Sequence, residues 1–386
     1  MSEMNQWSAG EQKKKVIETH HYFVKYEDKE TIDINAGNFS YVLGYSDEDV
    51  KSSMSNIDVA FLRGNSGESS THNDALINYI CNKGKWSGLA WAVSGSDAVE
   101  AAIAMNDFYW QCLGQHKPKI ISFTPGYHGT TMLAKHLRGE YPYLNRAELI
   151  AAPVWRSVSD REQQEQLALQ SIRNKLQQSD VGCIIMETLP WVGCISPYSQ
   201  NWWESIRKLC DEYQILFVLD DVAICYGKLG HMFGWQEYNV QPDICAIGKA
   251  LTAGYSPLGA AVCNKKVYDV LQYKSWDHGH TWSPNMQGVA AAITASVKIE
   301  SLLHRVPVIN SKLESIGDKL GLTYRSAGLF IAYDTNQFYS LADLHSVGLT
   351  ATMAGENCIK VVAPLIADDH YFDSIERSFS TLLARK

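Results

Sequence analysis

The residues best suited to chemistry in this chain stand at the ends of short apolar runs. Lys249, in Gly248-Lys249-Ala250-Leu251, follows the run at 243–247. Hemmed by Gly248 and Ala250, its amine is badly placed for a solvated side chain and well placed as a desolvated nucleophile that can form a Schiff base. Taken alone, a surface lysine fits equally well. Asp220-Asp221-Val222 follows the run at 215–219; an acid there either hydrogen-bonds a ligand or caps the next turn. Tyr127-His128-Gly129 follows residues 119–123 through Thr124-Pro125-Gly126. Its ring can stack on a flat cofactor, although a packed loop tyrosine is the commoner case. Ser94-Gly95-Ser96-Asp97 has the spacing of a helix-start capping box, with small residues that open the first-turn N–H groups to a phosphate. Standing alone, it is more often a capped helix with nothing bound. His278-Gly279-His280 invites a metal reading, since His-x-His puts both rings on one side of a strand. No carboxylate–His spacing completes a site nearby, and no metal is expected.

Taken together, a lysine amine, a carboxylate, an aromatic ring and a helix-start phosphate cup are the parts that pyridoxal 5'-phosphate requires. The lysine holds the aldehyde, and the acid keeps the pyridine nitrogen protonated so that the ring acts as an electron sink.

These residues need a scaffold. Strand-length apolar runs at 119–123, 181–186, 215–219, 243–247 and 258–263 alternate with helix-like stretches at 97–112, 160–177 and 201–213. That alternation predicts an α/β fold with a mainly parallel sheet covered on both faces, in which ligands sit outside the carboxyl ends of the strands. Residues 16–45 read as short strands and turns. After a long helix at 285–304, the chain continues as mixed strands and a closing helix at 368–383. The expected organisation is a large cofactor-binding domain at 46–290 and a small α+β domain made from 1–45 and 291–386.

Composition narrows the classes. The 386 residues are 46% hydrophobic and 20% charged, which suits a folded core. With 34 Lys and Arg against 42 Asp and Glu, the net charge of −8 leaves no general footprint for nucleic acid or an anionic membrane. The first ten residues lack the apolar core of a signal peptide, and no apolar run is long enough to span a bilayer. Nine dispersed cysteines without a Cys-x-x-Cys pair read as free thiols in a reducing compartment, so a cytoplasmic location is expected.

In order along the chain, the motifs resemble the class III pyridoxal-phosphate aminotransferases of fold type I. The resemblance covers Ser94 to Ala102, Tyr127-His128-Gly129, Glu187 to Pro197, and Leu209-Cys210-Asp211-Glu212 leading to Asp220-Asp221-Val222. It continues through Pro242-Asp243-Ile244, Gly248-Lys249-Ala250-Leu251, Pro257-Leu258-Gly259-Ala260 and His278-Gly279-His280-Thr281-Trp282. It implies that Lys249 is the Schiff-base lysine and proton shuttle, and that Asp220 pairs with the pyridinium nitrogen. Val222 and Tyr127 would pack on the two ring faces, Gly95 and Ser96 would hold the phosphate, and Glu187 would lie close by. Thr281 would reach the phosphate of a neighbouring subunit, which implies a homodimer with shared active sites. The implied partners are a small-molecule amine donor and a keto-acid acceptor.

Departures from the family pattern bear on substrate. Ornithine-type members show Phe-His-Gly-Arg where this chain has Tyr127-His128-Gly129-Thr130. Pro190-Trp191-Val192-Gly193-Cys194 replaces their Gln-Gly-Glu-Gly-Gly stretch, making that wall apolar and bulky. Residues 251–255 and 278–282 are more similar to the ω-amino acid:pyruvate and diaminopelargonate branches. Met353 falls where many ω-enzymes carry a carboxylate-binding arginine; Arg325 and Lys360 are replacement candidates, each with a structural alternative.

The leading expectation is therefore transfer of an amino group between a primary amine or ω-amino acid and a keto acid. A diaminopelargonate-type aminotransferase, or an aminomutase or epimerase with the same lysine and aspartate, is the alternative within enzymes. A nicotinamide enzyme would need a Gly-x-Gly-x-x-Gly turn, and the chain has none. A silent scaffold would be expected to have lost Lys249 or Asp220.

Overall fold

Strands carry the architecture, and the computed structural model describes them within residues 14–62, 67–178, 180–192, 195–352 and 357–385. Near the N-terminus, β1 (Val16–His20), β2 (Phe23–Tyr26) and β3 (Glu30–Asp33) form an antiparallel meander. The central sheet uses β4 (Gly88–Ala92), β5 (Lys119–Thr124), β6 (Ala147–Ala151), β7 (Val181–Glu187), β8 (Leu216–Asp220), β9 (Ile244–Ile247) and β10 (Gly259–Cys263). Later come β11 (Tyr324–Ala327), β12 (Phe330–Asp334), β13 (Leu349–Thr350) and β14 (Cys358–Val362). Strands β11, β12 and β14 make an antiparallel sheet, while β13 pairs parallel to β3 and so brings the two ends of the chain into one sheet.

The central sheet runs β4-β10-β9-β8-β7-β5-β6. The pairs β6–β5, β5–β7, β7–β8 and β8–β9 are parallel, while β10 is antiparallel to both β9 and β4. The mainly parallel sheet is thus mixed at one edge. The chain passes straight from β9 to β10 without a crossover helix, so β10 returns in the opposite direction. The expected runs appear as strands to within a residue or two of each end. Strands β4 and β6 were not among them: Gly88-Leu89-Ala90-Trp91-Ala92 holds no β-branched residue, and Ala147-Glu148-Leu149-Ile150-Ala151 holds only one.

Strands β7 and β8 are buried along their whole length, as a sheet covered on both faces requires. Pleating sorts their side chains. Phe217 and Leu219 of β8 join one apolar cluster, and Leu216 and Val218 join the other on the opposite face. Helix Gly95–Cys112 covers the second face, with Ala98, Ala101, Ala102 and Met105 buried there. Helix Gln200–Glu212 lays Trp202, Trp203, Ile206 and Leu209 against the first. No helix among the described residues is long and apolar enough to cross a membrane.

Candidate functional site

The carboxyl ends of β7, β8 and β9 bring three ionisable groups together. Glu187 and Asp220 close adjacent strands and are register partners. Asp220 is 6% exposed. Its Oδ2 lies 2.8 Å from His128 Nδ1, and its Oδ1 accepts the Val222 N–H at 3.1 Å. Burial opposes a charge on His128, but the hydrogen bond and charge of Asp220, helped by Glu187, outweigh it and lift the imidazole above its ordinary value. Asp220 thereby favours the charged form of the His128 ring. Glu187 accepts the Tyr127 N–H at 2.9 Å, and burial pushes its carboxyl up to about 7.

Lys249 follows β9 through Gly248, whose extended backbone turns sharply into a lysine with φ of 46°. A left-handed conformation costs a residue with a Cβ about 1 kcal/mol, so the surrounding contacts must hold it. Two of them converge on the Gly248 carbonyl, which accepts the Leu251 N–H at 2.9 Å and faces the Cys225 thiol at 3.5 Å. The Lys249 ammonium lies 4.6 Å from the Phe39 ring centroid. Burial pulls it below the ordinary lysine value, against the opposing charges of Asp220 and Glu187.

Helix Gly95–Cys112 starts beside these groups. Ser94 Oγ accepts the Asp97 N–H at 3.2 Å, as the capping spacing predicts, but the reciprocal bond differs. Asp97 Oδ2 takes the Val93 N–H at 2.8 Å, one residue earlier than a capping box would have it. The amides of Gly95 and Ser96 have no acceptor within the helix, as at any helix start. The walls around them admit no extra atoms. A Cβ on Gly95 would strike Val222, one on Gly129 would strike Ser96, and one on Gly248 would press on Gly95 and Val222. Ser96 Oγ also accepts the Thr130 N–H at 3.1 Å, which fixes the 127–130 loop against the helix start.

Seven of the eight residues singled out in the sequence, Gly95, Ser96, Tyr127, Glu187, Asp220, Val222 and Lys249, are thus assembled by these contacts. Tyr127 is half-buried, with the Arg138 guanidinium 5.2 Å from its ring centroid. Thr281 is not joined to them within the chain and lies exposed beside Trp282, which is 70% exposed. Its loop is tied back to the helix start, with His280 Nε2 2.7 Å from Asp97 Oδ1, and His278 stacks on Trp276 at 4.6 Å. Among the described residues no group of three or more His, Cys, Asp or Glu could hold a metal.

Phe39 links the Lys249 ammonium to Trp191, one of the two residues expected to make an apolar wall, while Val192 packs against the same apolar cluster. Trp191 packs 4.3 Å from Phe39, which in turn lies 5.9 Å from Phe330. The Trp191 indole N–H is buried without a partner, and the Lys360 ammonium donates to the Trp191 carbonyl at 3.0 Å. Gly193, Cys194 and Met353 lie outside the described residues. Arg325 forks onto Asp334 at 2.6 and 2.8 Å across β11 and β12 and is committed there. Sequence reasoning passed over Phe39, the His128–Asp220 bond and Cys225. Only His128 left a signal, its place beside Tyr127.

A family model described as "Aminotransferase class-III" matches residues 14–383. A gamma aminobutyrate transaminase 3 from Solanum lycopersicum is 29% identical over 57% of this chain and 47% of its own length. An adenosylmethionine-8-amino-7-oxononanoate aminotransferase from Geobacter sulfurreducens is 30% identical over 59% of this chain and 54% of its own. The matches thus span about half the length of these curated relatives. Among solved structures, an amine transaminase from an uncultivated Pseudomonas species, in its PLP-bound form, superposes with a TM-score of 0.90 at 21% identity. That match covers 100% of this chain and 99% of the other. An omega transaminase from Pseudomonas jessenii gives 0.87 at 22% identity over 96% and 92%. At such identities these likenesses establish the fold, type I of the pyridoxal-phosphate enzymes.

Proposed function

Because the chain belongs to the class III aminotransferases, whose cofactor is pyridoxal 5'-phosphate, we propose that it transfers an amino group between a primary amine or ω-amino acid and a keto acid. The observation that carries this reading is the convergence of the Lys249 amine and the Asp220 carboxylate on a cradle bounded by Gly95, Val222 and Gly248. The donor set fits the cofactor. Lys249 would hold its aldehyde, Asp220 its pyridine nitrogen, the Gly95 and Ser96 amides its phosphate, and Val222 and Tyr127 its two faces, with Glu187 beside Tyr127. When bound, the cofactor supplies the electron sink that lets a carbon–hydrogen bond next to the amine ionise.

The protein's own groups do the rest. His128 and the Val222 N–H fix the Asp220 carboxylate so that it can keep a proton on the ring nitrogen it faces. Lys249, whose neutral form burial favours, is the group placed to take up and release a proton at Nζ. Phe39, Trp191 and Phe330 exclude water from that side.

Two copies would complete the site, with the exposed Thr281 of each reaching the other's phosphate. The eight described cysteines are all free, which supports a cytoplasmic setting. The β3–β13 pairing supports a small domain built from 1–45 and 291–386 against a large one at 46–290.

The test is the visible spectrum of the purified chain with pyridoxal phosphate. A bound-cofactor band should appear, bleach with particular amines and return when a keto acid is added. A band that responds to no amine would overturn transamination, and the absence of any band would overturn the cofactor assignment.

A further inference from the structure

Four residues in a row take a backbone that L-amino acids avoid. Ala36, Gly37, Asn38 and Phe39 have φ of 44°, 54°, 60° and 70°, the only run of that length among the described residues. Left-handed residues ordinarily occur singly, because each Cβ is crowded by the carbonyl that follows, and a run of them persists only where its surroundings hold it. Of the four, Gly37 alone lacks the crowded atom, and a Cβ there would strike the Tyr41 ring.

The hold comes from Asp33, which closes β3 and is 4% exposed. Its Oδ1 accepts the Asn35 N–H at 2.7 Å, and its Oδ2 accepts the Gly37 N–H at 2.6 Å together with the Tyr45 hydroxyl. From the other side, the Asn35 amide donates to the Lys360 carbonyl at 2.9 Å and accepts the Thr352 N–H at 2.8 Å, which fastens the turn to β14. The run ends on Phe39, whose ring stands 4.6 Å from the Lys249 ammonium and 4.3 Å from Trp191. A lysine stem of four carbons leaves its amine many positions, and a fixed ring on one side removes some of them. Relaxed to a right-handed backbone, the turn would send the Phe39 side chain in another direction.

We infer that Asp33 is a positioning residue: its carboxylate holds the left-handed turn that sets the Phe39 ring against Lys249, and so orients that amine toward the cofactor aldehyde. The inference rests on Lys249 being the reactive amine.

The test is a double-mutant cycle on the full-length chain freed of cofactor. In capture of pyridoxal phosphate, Lys249 Nζ bonds to the aldehyde carbon and the aldehyde oxygen leaves as water. The product is reduced with borohydride at timed intervals and located by peptide mass spectrometry. Asp33→Asn leaves one acceptor oxygen where the carboxylate used two, and sets an N–H against donors. It should slow capture about tenfold in the parent chain, but less than about twofold in a Phe39→Ala background, where no ring is left to place. A merely structural role would slow capture by the same factor in both backgrounds. That outcome, or an unchanged rate in the parent chain, overturns the proposal alone. If the Asn variant does not fold, Tyr45→Phe, which removes one donor to Asp33, must slow capture at least about twofold with Phe39 present and not without it. A label that lands on another lysine in the parent chain overturns the reading of Lys249 and the proposal with it.

Discussion

The two ends of the central strands treat buried charge in opposite ways. At the amino end of β9, Asp243 is 3% exposed and fully answered. Its Oδ2 accepts from Arg207 at 3.0 Å and from the Phe217 N–H at 2.8 Å, and its Oδ1 accepts from Asn264 at 2.9 Å. At the carboxyl end, several charged groups are enclosed without an ion-pair partner among the described residues. Glu187 and Asp221 are pushed up to about 7, Lys228 is brought down to about 8, and Lys249 has an aromatic ring beneath its ammonium. A satisfied carboxylate such as Asp243 ties strands together and has nothing left to give. The under-answered groups change protonation at small cost, which proton transfer requires.

The contrast can be broken most sharply at Lys249. Lys249→Ala should lower turnover by about 10⁴-fold or more, the upper end for a positioned acid–base group, with an unchanged or raised melting temperature. A variant that melts early would place Lys249 among the structural charges instead. Next comes one substitution made at both ends. Asp220→Asn should cost roughly 10²- to 10³-fold in rate per folded molecule, since a neutral amide does not hold a proton on the ring nitrogen, in addition to whatever stability is lost with its His128 pairing. Asp243→Asn should cost about 2 to 3 kcal/mol in denaturant unfolding, with the rate per folded molecule kept. An exchange of those outcomes would dissolve the distinction.

The smallest effect concerns pH. Glu187 keeps its proton in the fold up to about 7, whereas an unfolded chain releases it near the ordinary carboxyl value. Its contribution to stability is therefore present below that ordinary value and lost as pH rises through about 7. Glu187→Gln removes this loss. In thermal melts of the cofactor-free chain, its midpoint should lie above the parent's at pH 8, and the two should converge by pH 5. A difference of the same size at both values would mean that Glu187 is ionised throughout.

What the sequence disclosed follows the range of the interactions involved. Runs such as 181–186 and 215–219 announce buried strands because burial on both faces demands uninterrupted apolar residues, and the residues that end those strands are then placed by topology alone. Asp220 and Lys249 were legible for that reason, as was the Ser94 cap, which spans three residues. Strand β4 was not, since it is held by pairing with β10 rather than by its own Gly- and Ala-rich composition. Phe39 beneath Lys249, Trp191 against Lys360, and Cys225 against Gly248 join distant parts of the chain. No local periodicity encodes such meetings. Lys228 was invisible for a further reason, because nothing in Tyr226-Gly227-Lys228-Leu229 distinguishes an enclosed lysine from an exposed one.

Trp191 has an optical consequence. Its indole packs on Phe39, the same ring that lies beneath the Lys249 ammonium. An emitter in the near ultraviolet therefore stands beside whatever absorber that lysine carries. Energy passed between them would dim the tryptophan emission as the lysine is loaded and restore it on release, so the protein carries a gauge of its own occupancy that needs no added dye.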